Sequence, residues 1–134
     1  MTMALHPVGK IVYICDDVVA DPVSHKPSIL NLWEVVRIPA GAPFPYTSGK
    51  MCVVALMRDG QGEIRFRSDL HRADTREVIR RSKDYLVQFV DRHRATLVVI
   101  RLEDVTLPQP EPYLVELFCE GAFVDDQLIS VRSI

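Results

Sequence analysis

Asp16, Asp17 and Asp21 are the residues whose type and spacing most resemble a metal site. Asp16, Asp17 and Asp21 lie in the first polar segment after an apolar run, and Asp125 and Asp126 lie near the other end of the chain. Carboxylate oxygens are the hard ligands that Ca²⁺ prefers, but this spacing matches no EF-hand loop. Asp16 and Asp17 can also close a strand by accepting hydrogen bonds from loop amides. We expect no metal and no cofactor, and keep Asp16, Asp17 and Asp21 as candidate binding residues.

The histidines and cysteines do not have the spacing of a zinc site. A structural zinc requires four converging nitrogen or sulfur ligands, usually in closely spaced pairs. The chain has four histidines and three cysteines, and they form neither a C-x₂-C nor an H-x₃-H pair. Each of Cys15, Cys52 and Cys119 lies inside an apolar run, which predicts buried, reduced thiols in a cytoplasmic protein. Of the histidines we keep His25, in the same polar segment as Asp21, as a candidate binding residue.

Motifs for covalent catalysis and phosphate binding are absent from the sequence. No G-x-S-x-G occurs, and the glycines of Gly60-Gln-Gly62 are not followed by a helix. Glu116 and Glu120 would lie about 13 Å apart on a strand, too far for an acid–base pair. We expect no catalytic residue and a non-catalytic binding or protein-interaction module. The alternative is a small-molecule or metal-dependent enzyme, with its site on the loops that carry Asp16 and His25.

An aromatic and proline-rich segment is the candidate docking surface. Trp33, the one tryptophan, lies between Asn31 and Glu34, and Phe44 and Tyr46 follow in the proline-rich stretch. Tryptophan and tyrosine combine a large apolar body with a polar atom and are enriched at interfaces. A core position is the other interpretation of Trp33. We expect a partner-binding or self-association surface at Trp33, Phe44 and Tyr46.

Short β-strands must position these residues. Segments rich in β-branched and aromatic residues are separated by proline, glycine and aspartate. The predicted strands are 10–15, 29–38, 50–58, 63–69, 95–107, 113–119 and 123–132. The segment 75–92 fits either one helix or two short strands, and the alternation of Tyr85, Val87 and Phe89 favours strands at 77–81 and 84–90. The spacing of the strands predicts an all-β fold with little helix.

Turn residues suggest how the strands connect. Asp59-Gly-Gln-Gly62 predicts a hairpin between the strands on either side of it, and Glu120-Gly121 predicts a second one. The three prolines of 39–46 exclude a central strand and predict an extended crossover. We expect residues 1–134 to form a single antiparallel β-sandwich of seven or eight strands, immunoglobulin-like or related.

Charge and hydropathy limit the partners. The net charge of −2 is unfavourable for nucleic-acid binding, and apolar runs such as 51–57 are far shorter than the roughly 20 residues of a membrane helix. No secretory signal is expected at 1–9. Residues 58–94 carry ten Lys or Arg against seven Asp or Glu, whereas residues 95–134 carry two against seven. Opposite patches and apolar strands predict self-association, most simply a twofold homodimer, or a protein partner.

A resemblance covers most of the chain. Its features begin with Cys15-Asp16 and the Pro43-Phe44-Pro45 crossover, and end with Pro108-x-Pro110, Tyr113 and a turn at Gly121. With its strands in this order, the chain resembles an uncharacterised family of small bacterial proteins, a domain of unknown function. The resemblance implies an immunoglobulin-like or related sandwich. It implies no activity and no catalytic residues.

Overall fold

The computed structural model describes residues 4–9 and 11–134, which form twelve strands and no helix. The strands are β1 (Val12–Ala20), β2 (Pro27–Leu32), β3 (Val35–Ile38), β4 (Tyr46–Thr47), β5 (Lys50–Met57), β6 (Gly62–Arg72), β7 (Val78–Arg81), β8 (Tyr85–Phe89), β9 (Thr96–Glu103), β10 (Thr106–Leu107), β11 (Pro112–Cys119) and β12 (Ala122–Ser133). Within this described part of the chain, no helix is long and apolar enough to cross a membrane.

Two main sheets form the fold, joined by a small ladder. One sheet has the order β2-β1-β5-β9, and the other has the order β3-β12-β11-β6-β7, with β8 also pairing with β6. The short strands β4 and β10 pair with each other. All neighbouring strands run antiparallel except β3 and β12, which are parallel. The predicted all-β sandwich is confirmed, with more strands than the seven or eight expected and with one parallel pair.

The core lies between the two main sheets and follows the twofold period of their strands. Alternate residues of β5, such as Met51 and Val53, face alternate residues of β6 and β11, such as Phe66 and Val115. All four side chains are essentially inaccessible to solvent. Burial of apolar area stabilises such a core by about 25 cal/mol per Å². The inner faces of both sheets therefore hold the sandwich together.

The predicted hairpin at Asp59–Gly62 is wrong. β5 pairs with β1 and β9, whereas β6 pairs with β11, β7 and β8 in the other sheet. Asp59 and Gly62 do adopt positive φ angles of 61° and 88°, but the turn carries the chain across the sandwich. Gly60 packs so tightly that an added Cβ would lie 2.7 Å from the ring of Phe89 in β8. The turn residues were identified correctly, and their partner strands were not.

Two predicted long strands are divided between sheets. The segment 29–38 forms β2 and β3, which belong to different sheets, and the chain changes sheet at Trp33 and Glu34. The segment 95–107 ends its first strand at Glu103, and β10 then joins the small ladder after Asp104, whose φ is 50°. The first strand begins at Val12, and the predicted start at Lys10 lies outside the described residues.

Other sequence predictions are confirmed. The segment 75–92 contains two strands, β7 and β8, that pair with different halves of β6. Glu120 and Gly121, with φ angles of 50° and 81°, form the tight hairpin between β11 and β12. The proline-rich segment contains no strand before Tyr46, as expected for a crossover. Local pattern therefore predicted the strands better than their pairing.

Tyr113 anchors the proline-rich loop before β11. Its ring is fully buried, and its hydroxyl donates to the Gln109 carbonyl at 2.6 Å and accepts from the Gln109 amide at 3.2 Å. A buried tyrosine bonded to backbone a few residues upstream is a feature of immunoglobulin-like sandwiches, the tyrosine corner. This bond fixes the loop against the core, so Tyr113 couples the Pro108–Pro110 stretch to the sandwich.

We predict that Tyr113→Phe lowers the free energy of unfolding by about 1–2 kcal/mol, because both Gln109 backbone groups lose a partner while the ring stays buried. Urea unfolding monitored by circular dichroism measures this change. Tyr46→Phe is the matched control, since the half-buried Tyr46 forms no hydroxyl hydrogen bond with residues 4–9 and 11–134, and its effect should stay within about 0.5 kcal/mol. Equal effects of the two substitutions would contradict the role assigned to Tyr113.

Candidate functional site

Asp16 holds the segment where the chain changes sheets. Its two carboxylate oxygens accept hydrogen bonds from the indole Nε1 of Trp33 at 2.6 Å and from Asn31 Nδ2 at 2.9 Å. Asn31 has a φ of 55°, a conformation that asparagine tolerates better than most residues. Trp33 also donates its backbone amide to the Ile14 carbonyl at 2.7 Å. Asp16 therefore orients Trp33, whose side chain is only 8% exposed and belongs to the core.

The two hydrogen bonds of Asp16, to Trp33 and to Asn31, are called the clamp below. A cleft of about 520 Å³ opens beside this clamp. Four of the predicted binding residues line it, namely Asp16, Asp17, Trp33 and Tyr46. One wall is the segment from Asn31 to Ile38, and the other is the segment from Tyr46 to Lys50. The volume falls in the range of ordinary ligand sites, roughly 300–1,000 Å³. The structure therefore brings together the aromatic and the acidic candidates that the sequence had suggested separately.

Phe44 lies next to the cleft. Its ring centroid is 6.4 Å from that of Tyr46, with the ring planes tilted by 50°. Both rings are half-buried and pack against the main core. Phe44 thus supports the Tyr46 wall, and the two aromatic residues form a fixed surface instead of an open patch.

Asp17 is neutralised by neighbouring cations. Its carboxylate lies 2.9 Å from Lys50 Nζ and 3.8 Å from Arg101 Nε. The hydrogen bond from Lys50, with that from the Val18 amide, holds the pKa of Asp17 below its usual value. The same pairing raises the pKa of Lys50. Asp17 and Lys50 stay charged and paired at neutral pH, so this edge of the cleft is a polar border with no free general base.

Asp21 and His25 are not part of the cleft. Both lie in the exposed loop between β1 and β2, where Asp21 Oδ1 accepts from the Val23 and Ser24 amides, each at 2.8 Å. These two bonds lower the pKa of Asp21. His25 follows with a φ of 61°, and its amide donates to the Asp21 carbonyl. Asp21 therefore shapes its own loop, and these two candidates are separate from Asp16 and Asp17.

The carboxylates, thiols and imidazoles of the described residues do not form a metal site. Across residues 4–9 and 11–134, no group of three or more His, Cys, Asp or Glu side chains could hold an ion together. In the cleft, Asp16 and Asp17 already bind protein donors. The chemistry that this arrangement supports is binding by hydrogen bonds and by contact with aromatic rings.

Sequence reasoning missed three residues of the cleft. Arg37 and Ser48 line its opposite walls, and Asn31 completes the clamp on Asp16. The Ser48 hydroxyl is shielded from solvent and has no hydrogen-bond partner among the described residues. Arg37 lies between Val36 and Ile38, which face the core. This alternation predicts that the Arg37 side chain points outward, but it does not predict a cleft. Asn31 was visible only as a polar residue within an apolar strand.

The outer face of the β2-β1-β5-β9 sheet is apolar. Cys15, Cys52 and Val54 form a second buried cluster there, separate from the main core. Around it, Tyr13 is 38% exposed and Leu56 is 59% exposed. Tyr13 and Leu56 also line a shallow groove of about 340 Å³. Antiparallel sheets usually present polar residues on an outward face. We call this surface, centred on Tyr13, Val54 and Leu56, the apolar face.

The outer face of the other sheet is charged. Asp69 is almost fully buried there and lies 3.1 Å from Arg81 and 3.3 Å from Arg67. Next to it, His71 Nε2 lies 2.6 Å from a Glu116 carboxylate oxygen. The pair of His71 with Glu116 joins the basic middle of the chain to its acidic C-terminal part, because β6 pairs with β11. The charge asymmetry in the sequence is therefore satisfied in part within one chain.

The three thiols are free and buried. Burial, with a smaller contribution from the adjacent Cys52, raises the pKa of Cys15 to about 11. Burial also raises the pKa of Cys119 to about 11, with a smaller contribution from Glu120. Burial likewise raises the pKa of Cys52. Such thiols lack the thiolate character of reactive cysteines, so they act as small apolar residues.

Comparison with known proteins identifies a family but no activity. Residues 10–132 match the family described as a family of unknown function (DUF6941). No curated protein matches the chain. Among solved structures, an immunoglobulin-like protein from Pseudomonas aeruginosa is similar with 13% sequence identity, 98% coverage of each chain and a TM-score of 0.38. The sandwich is defined by the two main sheets of this chain.

We predict that Asp16→Ala lowers the free energy of unfolding by about 1–3 kcal/mol, because the buried Trp33 Nε1 loses its charged acceptor. Urea unfolding followed by the fluorescence of this single tryptophan measures the change. Asp126→Ala, at an exposed aspartate of β12, is the control and should change stability by no more than about 0.5 kcal/mol. An unchanged stability of Asp16→Ala would show that the clamp is not structural.

We predict that Cys15 and Cys119 react about 100-fold more slowly in the folded protein than in the unfolded chain. With a pKa of about 11, only about 0.1% of each thiol is ionised at pH 8, against about 10% for an ordinary thiol. Release of thionitrobenzoate from Ellman's reagent at pH 8 measures the rate, and three thiols should titrate in guanidinium chloride. Fast native reaction of Cys15 or Cys119 would refute this prediction.

Proposed function

We propose that this chain, which belongs to the family of unknown function DUF6941, is a non-catalytic protein-interaction module that forms a homodimer through its apolar face. The observation that carries the proposal is the apolar character of that face. Tyr13 and Leu56 remain exposed beside a buried apolar cluster, on a sheet surface that water would otherwise cover. Contiguous exposed apolar surface rimmed by polar residues is typical of interaction sites.

The outer face of the whole sheet, of which the apolar face is part, is large enough for a second copy. Four strands at a spacing of about 4.8 Å and about eight residues long cover roughly 500 Å² of sheet. A symmetric face-to-face pair would remove about 1,000 Å² in total, which is near the lower limit for a specific interface. A twofold interface uses the same patch on both subunits, so one apolar face supplies both halves.

Self-association through the β9 edge of the sheet is less favourable than self-association through its apolar face. β5, one of the apolar strands expected to provide an edge, is central in its sheet. β9 is an edge strand, but Tyr85 Oη donates to the Arg101 carbonyl at 2.8 Å and Arg80 donates to the Glu103 carbonyl at 3.0 Å. These side chains from the other sheet occupy acceptors that an added strand would need. The proposal therefore uses the face of this sheet and not its β9 edge.

Salt should have little influence on the proposed dimer. The basic and acidic segments that suggested electrostatic attraction between copies pair within the chain, as in Arg72 with Glu111 at 2.5 Å. Apolar burial is not screened by salt, in contrast to attraction between exposed charges. The proposed homodimer is therefore stabilised by burial of apolar surface and not by attraction between charged segments of two copies.

The proposed setting is the cytoplasm of a bacterium, with no nucleic acid and no membrane as partner. Three free cysteines support a reducing compartment, because exposure to an oxidising one favours disulfides. The net charge of −2 supports a protein partner over nucleic acid. Fractionation of the source cells with an antibody to this chain tests the compartment.

We predict that Leu56→Glu weakens self-association by about 30-fold or more, because it places a charge on the apolar face. Sedimentation equilibrium between 1 and 100 µM, in low and in high salt, measures the dissociation constant. The unmodified chain should sediment with twice the mass of one chain in both salt conditions.

The matched control is Leu86→Glu. Leu86 has the same 59% exposure as Leu56 but lies on β8, in the opposite sheet. Its substitution should leave the dimer intact, and circular dichroism should show that both variants are folded. A monomeric mass for the unmodified chain at all concentrations, or equal weakening by both substitutions, would overturn the proposed homodimer.

A further inference from the structure

The free edge of β3 faces the cleft. Among the described strands β3 pairs with β12 alone, through bonds such as Ser130 N to the Glu34 carbonyl and Ile134 N to the Ile38 carbonyl. In a parallel ladder, alternate residues direct their backbone groups to alternate sides. The amide and carbonyl groups of Val35 and Arg37 therefore point away from β12, and both residues line the cleft. No strand among the described residues pairs with that side of β3.

The cleft also carries an unmatched positive charge. Asp16 binds Trp33 and Asn31, and Asp17 binds Lys50, so both carboxylates are occupied. Arg37 is exposed and has no carboxylate partner within 4.0 Å among residues 4–9 and 11–134. An anionic group on a ligand would be the complementary charge. The shielded Ser48 hydroxyl, on the opposite wall, is a further polar group without a partner.

We propose that the cleft binds an extended peptide segment of a partner protein, which adds a strand to the open edge of β3 and directs an acidic side chain toward Arg37. Strand addition satisfies backbone groups along an edge, and pockets for alternate side chains provide selectivity. Val35 and Arg37 supply the edge, Tyr46 supplies apolar contact, and Arg37 supplies the charge preference. This site is separate from the groove at Tyr13 and Leu56, so the inference goes beyond the proposed homodimer.

A defined peptide tests this inference. The probe is acetyl-Thr-Val-Glu-Val-Thr-Ser-Lys-amide, and the control probe has the same sequence with every backbone amide N-methylated, so that neither of its edges can complete a ladder. Trp33, the only tryptophan, lines the cleft and reports binding by its fluorescence. We expect saturable binding with a dissociation constant below about 1 mM, and at least about tenfold weaker binding of the methylated probe.

Two variants distinguish the edge from the charge. Arg37→Glu should weaken binding of the glutamate probe about fivefold and favour a probe with lysine in place of glutamate. Val35→Pro should weaken both probes, because it removes an outward amide that donates to none of the residues that the structure describes. Amide exchange of Val35 and Arg37, followed by NMR, should slow when the peptide binds.

Each remaining outcome counts against the proposal. Absence of a saturable signal up to 1 mM, equal affinity for the methylated probe, or no change in either variant would overturn strand addition to β3. Leu56→Glu should bind the peptide with unchanged affinity. If the dimer fails to form but the peptide binds, only the proposed homodimer is refuted, and the reverse result refutes only this inference.

Discussion

A two-layer sandwich can bury only one face of each sheet, but the central strand β5 is apolar on both of its faces. Met51, Val53 and Ala55 fill the core, and Cys52 and Val54 between them point outward. The outward cluster shares side chains from β1 and β9 and keeps its centre dry, while Leu56 at its margin stays exposed. Moving β5 to an edge would expose still more apolar surface. Its central position therefore fixes the order of its sheet and produces the apolar face.

The opposite sheet contains a buried charge. Asp69 is nearly inaccessible, and an isolated buried carboxylate would be costly. Arg81 contacts both of its oxygens, and Arg67 lies 3.3 Å from one of them. Arg67 also lies 4.6 Å from the ring centroid of Phe118. Replacing Arg81 would remove both of its hydrogen bonds to the buried Asp69 carboxylate, so this network favours the pairing of β6 with β7.

The sequence predicted the strands and several turns because these depend on local chemistry. Alternation located β7 and β8, and Gly121 with Glu120 marked a real hairpin. Pairing was not predictable in the same way, since the turn at Asp59–Gly62 contains hairpin residues but leads into the other sheet. Residue alternation states which face of a strand is buried, not which sheet contains it. The choice depends on long-range contacts such as Gly60 against Phe89.

The candidate site illustrates the same division between local and long-range information. Residue type was enough to select Asp16, Trp33 and Tyr46, but not to show that they share one cleft. They meet because the chain leaves one sheet after Leu32 and enters the other at Val35, and the Asp16 carboxylate holds the residues around this change of sheet by hydrogen bonds. The same change makes β3 a short parallel edge strand with one open side. The cleft and the open edge thus have a single origin, so a substitution that releases Trp33 from Asp16 should alter both together.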